Sequence, residues 1–185
     1  IIRITFTLLF TAMATFAFAD DAPTISPVAT FFTPNGEEQS SDYQGSAPLR
    51  ARFEANVANT NGWDAHYEWR FYTDPKRQTP YLSRFEKDTE VTFIVAGTHY
   101  VELYATFVQG RDTVEYTREY WQTADPIRVS IAESKLEMPN AFTPNGDGVN
   151  DVYRAKPGYQ SLVEFKAYIF NRWGQKIYEW KDPAG

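Results

Sequence analysis

The sequence predicts an all-β sandwich. Three observations predict it: aromatic residues make up 17% of the chain, apolar and polar residues alternate over short stretches, and turn residues separate those stretches. Aromatic and β-branched side chains suit a pleated, half-buried surface. A period of two places every second side chain on one face of a strand, which is the pattern of antiparallel strands with one wet face.

The elements follow in order. In "PLRARFEA", Leu49, Ala51, Phe53 and Ala55 share one face, and Arg50, Arg52 and Glu54 the other. "HYEWRFY" opposes Tyr67, Trp69 and Phe71 to His66, Glu68 and Arg70, and Trp69 is the expected centre of the core. "YVELYATF" turns Val101, Leu103, Ala105 and Phe107 inward, leaving Tyr100, Glu102, Tyr104 and Thr106 facing water. "IRVSI" groups Ile127, Val129 and Ile131. Between them lie "NTNG" (59–62), "TDPKRQTP" (73–80), "AGT" (96–98) and "QGRD" (109–112), where glycine supplies positive φ and proline fixes its own. No amphipathic helix of convincing length interrupts the series. Short strands with regular turns define a sandwich of immunoglobulin-like type.

Composition narrows the function. The net charge is -6 and no run is rich in lysine or arginine, so the concentrated basic face that nucleic acid requires is missing. The chain has no cysteine, which excludes disulfides, thiolate metal sites, a cysteine nucleophile and lipid attachment at an N-terminal cysteine. At the N-terminus, "IIRITFTLLFTAMATFAFAD" joins Arg3, an apolar run from Ile4 to Phe16, and Ala17-Phe18-Ala19 before Asp20. These are the parts of a secretory signal peptide over residues 1–19, cleaved after Ala19, and the run is short for a membrane span. No span is expected in the mature chain.

The order of "ATFF", "APLRARFEA", "YEWRF" and "AGTHYVELYA" resembles that of PKD domains, immunoglobulin-like modules of exported proteins, over about 26–132. A PKD-like domain is expected over 20–132. The family usually has Trp-x-Phe-Gly-Asp-Gly where this chain has Trp69-Arg70-Phe71-Tyr72-Thr73-Asp74, so a longer loop replaces a glycine-rich turn. The resemblance implies a spacer or a protein- or glycan-contacting module, and no enzyme. After a linker (133–138), residues 139–185 resemble the gliding-motility-associated C-terminal domain, the type B sorting domain of the type IX secretion system. The likeness rests on Pro139-Asn140-Ala141-Phe142-Thr143-Pro144-Asn145-Gly146-Asp147-Gly148-Val149-Asn150-Asp151, on "FKAYIFNRWGQKIYEW", and within it on Asn171-Arg172-Trp173-Gly174. Family members continue with a Trp-Asp-Gly turn and a final strand pair, so a truncated, partial C-terminal sandwich is expected here.

That resemblance implies a partner, the outer-membrane translocon, docking on Phe142, Pro144, Asn145, Gly146, Asp147, Gly148, Asn150, Asp151, Asn171, Arg172, Trp173 and Gly174. It places the protein at the outer membrane, on the cell surface or the periplasmic face. Two roles are expected: an accessory subunit held at the translocon, favoured by the small payload, or surface cargo such as an adhesin or binding module.

Individual sites carry competing readings. Asn145, Asp147, Asn150 and Asp151 crowd a glycine-rich loop and offer oxygen ligands for calcium. The spacing is not that of an EF-hand, and the alternative is a turn whose Asn and Asp bond their own backbone. Trp173 is either folded back as core or exposed with Arg172 as an anchor. His66 and His99 read as structural, and Glu68, Glu102 and Glu115 as solvated. Tyr100 and Tyr104, with Trp63 and Tyr72 in loops, make a candidate glycan or protein platform. The pentapeptide Phe-Thr-Pro-Asn-Gly occurs at 32–36 and 142–146. The first copy reads as a plain bend, the second as part of the sorting signature.

Overall fold

The computed structural model describes residues 22–185, so the expected signal segment at 1–19 lies outside the described residues. Its strands are β1 (Thr24–Ile25), β2 (Val28–Thr33), β3 (Gly36–Gln39), β4 (Asp42–Gly45), β5 (Leu49–Glu54), β6 (Val57–Ala58) and β7 (Asp64–Tyr72). They continue with β8 (Leu82–Arg84), β9 (Asp88–Phe93), β10 (Gly97–Gln109), β11 (Asp112–Tyr116), β12 (Ile127–Ile131), β13 (Ala167–Phe170) and β14 (Lys176–Trp180). The described residues contain no α-helix, only a single 3-10 turn at Tyr120–Gln122. No helix among them is long and apolar enough to cross a membrane. The fold is all-β.

Two sheets face each other. One has the order β3-β2-β5-β9, and the other β4-β12-β10-β7-β8 with β11 also paired to β10. β10 organises the second sheet: it pairs with β7 along one side and with β12 and then β11 along the other. The chain changes sheets between β3 and β4, where it runs parallel to β12 while all other pairings are antiparallel. Ser40 guides that passage, its N–H donating to the Ala29 carbonyl at 3.1 Å and its hydroxyl to the Asp42 carbonyl at 2.8 Å.

The alternation read from sequence matches the buried faces. Leu49, Ala51 and Phe53 of β5, Trp69 and Phe71 of β7, Val101, Leu103, Ala105 and Phe107 of β10, and Ile127, Val129 and Ile131 of β12 are all buried. Phe53 sits at the junction of the two layers, with ring centroids 5.7 Å from Trp69, 5.4 Å from Phe71 and 6.2 Å from Phe93. Trp69 satisfies its indole N–H by donating to the Lys87 carbonyl at 3.1 Å, as buried tryptophans usually do.

The first Phe-Thr-Pro-Asn-Gly copy is the β2–β3 hairpin turn, with Thr33 opposite Gly36. The Thr33 hydroxyl donates to the Gly36 carbonyl at 2.9 Å and accepts from the Asn35 N–H at 3.1 Å. Gly36 has φ +120°, a conformation side chains disfavour. It is a bend, as its sequence context suggested.

The connector at 133–138, expected as a linker, is hydrogen-bonded to the segment that follows. Lys135 and Gln160 exchange backbone bonds at 3.0 and 3.1 Å, and the Lys156 N–H donates to the Glu137 carbonyl at 2.8 Å. Ser161 is the pin: its hydroxyl donates to the Ala132 carbonyl at 2.7 Å and accepts from the Ala47 N–H at 3.2 Å. Beyond it, regular structure is limited to the β13–β14 ribbon.

Candidate functional site

The signature loop builds itself around two carboxylates. Asp151 Oδ1 accepts the N–H groups of Asn145 at 2.9 Å and Gly146 at 2.7 Å, and Oδ2 accepts that of Gly148 at 2.7 Å. Asp147 Oδ1 accepts the Val149 N–H at 2.7 Å, and its Oδ2 accepts the Asn145 amide at 2.9 Å. Gly146 and Gly148 adopt φ +78° and +82°, which turn successive N–H groups inward. The bonds from Gly146 and Gly148 hold the Asp151 carboxyl below the usual carboxylate range, and the Val149 N–H does the same for Asp147.

This arrangement is the turn reading of the loop. All four oxygens of Asp147 and Asp151 accept donors from the loop itself, and Asn150 contributes its carbonyl to the Thr143 N–H at 2.9 Å. Among the described residues, no group of three or more His, Asp or Glu is placed to hold a metal ion.

The Asn171–Gly174 motif is the turn of the β13–β14 hairpin. Asn171 Oδ1 accepts the N–H groups of Trp173 and Gln175, both at 3.0 Å, and Gly174 takes φ +80°. Because Asn171 ties the turn from inside, Trp173 is carried outward. It is 76% exposed, with the Arg172 guanidinium 4.2 Å from its ring centroid. The core reading of Trp173 is therefore overturned among the described residues, where the hairpin turn carries the indole into solvent.

Signature loop and hairpin meet at a groove of about 340 Å³ lined by Phe142, Val152, Tyr153, Ile169, Tyr178 and Trp180. The Trp180 indole N–H is buried there with no hydrogen-bond partner among the described residues. In the same unit Phe142, Val149, Val152, Phe170, Ile177 and Tyr178 are each more than half exposed. Of the docking residues expected from sequence, Phe142 and Asp151 line the groove, whereas Arg172 and Trp173 lie at the hairpin tip. Val152, Tyr153 and Trp180 went unnoticed. Their signal was an aromatic and apolar excess in this stretch of the sequence.

On the sandwich, two expectations fail. Glu102, read as solvated, is 2% exposed. Arg77 reaches from the 73–80 loop to place Nη1 2.7 Å from Glu102 Oε1, while its Nη2 donates to the Trp121 carbonyl at 3.1 Å. Trp121 in turn donates its indole N–H to the Leu103 carbonyl at 2.9 Å. Burial pushes the Glu102 carboxyl up, and the Arg77 charge and the Tyr104 and Tyr72 hydroxyls pull it partly back. Tyr72, assigned to a loop platform, ends β7 and is 1% exposed. Trp63 packs on the core, so the platform of Tyr100, Tyr104, Trp63 and Tyr72 does not form as a unit.

His99 is buried as a structural residue, its ring bonded to the Tyr81 hydroxyl at 2.9 Å and the Val95 carbonyl at 3.0 Å. His66 stays exposed on β7, and Glu115 on β11. Glu68 is only partly exposed and is held in its charged form by Arg70, 2.6 Å away.

In comparison with known proteins, residues 136–184 match the CHU_C type IX secretion signal domain. None of the curated proteins matches the chain, and none of the solved structures does. The match begins at the pinned connector and takes in the signature loop, the groove and the hairpin. A type IX secretion signal makes this an exported protein directed to the cell surface.

Proposed function

We propose that the chain is a passenger of the type IX pathway, with the C-terminal unit as its address and the sandwich as its payload. One observation carries the reading. The sandwich encloses a core of its own, whereas the C-terminal unit leaves many of its apolar side chains exposed and is attached through the connector and Ser161. Exposed apolar surface of this extent marks an interaction site, and here it falls within the secretion-signal match. The translocon would engage the Phe142–Asp151 loop and the Arg172–Trp173 tip, after an N-terminal signal peptide had delivered the chain to the periplasm.

The sandwich is PKD-like in this reading. The crossing from β3 to β4 and the parallel β4–β12 pairing support an immunoglobulin-type module. Its role is binding, and no reaction is assigned to it.

A second reading, an accessory subunit of the translocon, is favoured by the extent of the apolar surface, which a permanent partner would keep covered. Protease shaving of intact cells together with translocon pull-down separates the two. A passenger is shaved from the surface and is absent from the purified translocon of exporting cells. Stoichiometric retention with the translocon and protection from protease would overturn the passenger reading.

A further inference from the structure

The outer face of the second sheet carries a groove of about 290 Å³ that the fold does not need. It lies over the centre of β7 and β10, lined by His66, Glu68, Arg70, Tyr104 and Thr106, with Phe85 on its rim. β10 is paired on both sides here, and β7 is paired with β10 throughout and with β8 over Trp69–Phe71, so the face of the groove is made of side chains. Recognition there falls to side chains.

The side chains are held ready. Arg70 donates to Glu68 Oε2 at 2.6 Å, and its guanidinium carbon stands 3.8 Å from the centre of the Tyr104 ring. Ser83 donates to Glu68 Oε1 at 3.2 Å. The Arg70 Nε–H is buried without a partner among the described residues, so any contact to a ligand falls to the outer edge of the guanidinium. Phe85 is 70% exposed and contributes nothing to the core.

The charge balance selects the ligand. An anion would meet Glu68 and a cation would meet Arg70, whereas the pair together presents hydrogen-bonding capacity without net charge. An exposed aromatic ring beside fixed polar groups offers one surface to C–H bonds and the other to hydroxyls. We propose that this groove binds a neutral carbohydrate, one sugar ring packing on Phe85 with its hydroxyls directed to Glu68, Arg70, His66 and Thr106. This names the ligand class of the payload described above. Binding in solution tests the groove alone, and surface shaving tests delivery alone, so either can fail without the other.

The test is titration of the isotope-labelled full chain with neutral hexasaccharides of β-1,4-glucan, β-1,4-xylan, β-1,3-glucan and α-mannan, followed by amide chemical shifts. Polygalacturonate and a proline-rich peptide serve as counter-probes. At least one neutral glycan should shift residues 66–70, 84–86 and 104–106. Phe85→Ala, an exposed position that leaves the core intact, should weaken binding roughly tenfold through loss of the ring contact. Glu68→Gln, which keeps shape, should weaken it as well, while Val95→Ala on an exposed turn should not. The proposal is overturned by any of three results: no neutral glycan perturbs the groove, Phe85→Ala binds as the parent does, or only a counter-probe binds.

Discussion

Replacing Arg77 by Met would strand a buried carboxylate. Glu102 is 2% exposed, and Arg77, itself 23% exposed at the side chain, is its ion-pair partner. Removing one member of a buried pair costs about 3–5 kcal/mol because the remaining charge is uncompensated. Since Arg77 is partly wet, about 2–4 kcal/mol is expected at pH 8. The cost depends on pH in a defined direction. Burial already raises the folded-state pKa of Glu102, and Arg77 is the largest influence lowering it. The variant therefore raises it further.

A raised carboxyl contributes stability that is fully present below its unfolded pKa and is lost as pH rises through the folded value. The deficit of Arg77→Met should accordingly grow with pH, by up to about 1.4 kcal/mol per pH unit between the folded-state pKa of Glu102 in the parent and the still higher one in the variant. Near pH 4 only the lost bond to the Trp121 carbonyl should remain, about 1 kcal/mol. Urea denaturation followed by tryptophan fluorescence at pH 4, 6 and 8 measures this, with Arg77→Met/Glu102→Gln as the partner variant. The double variant should recover most of the high-pH loss. A deficit equal at pH 4 and pH 8, or no recovery on adding Glu102→Gln, would refute the stranded-charge mechanism.

Three further outcomes are expected. Phe53→Ala should cost about 3–5 kcal/mol in urea denaturation, because Phe53 packs on three aromatic rings with no exposure; a loss below about 1 kcal/mol would mean the two layers close over the gap. Asp151→Asn should speed hydrogen exchange at Asn145, Gly146 and Gly148, whose N–H groups its carboxylate accepts. In the parent, that protection should hold above the ordinary carboxylate range and fade as pH falls through the depressed folded value, while added calcium leaves the melting temperature unmoved. Trp173→Ala should change stability by no more than about 0.5 kcal/mol, given its exposure, yet lower surface delivery measured by cell-surface labelling. Unchanged delivery would remove Trp173 from the docking site.

Strand faces were legible because alternation is a local property: Leu49, Ala51 and Phe53 point inward from their spacing alone. The same holds for the signature loop, whose Asn, Asp and Gly residues close on themselves within a few positions. Glu102 defeated that logic. Its alternation is correct and it does leave the core face, but a loop and a 3-10 turn from elsewhere in the chain cover it. Tyr72 misled for a related reason, since β7 runs on to the residue that the turn chemistry of 73–80 follows.

The amino-acid order by itself determined an all-β chain, the inward faces of β5, β7, β10 and β12, the use of one Phe-Thr-Pro-Asn-Gly as a bend, and the C-terminal address. Each depends on residues within a strand or a turn of one another. The tertiary structure alone decided that β4 joins β12 across sheets, that Arg77 meets Glu102, that Phe85 rims a groove floored by β7 and β10, and that Trp173 stands in solvent. Burial is a sum over neighbours brought from distant parts of the chain, and periodicity within a strand carries no information about what lies above it.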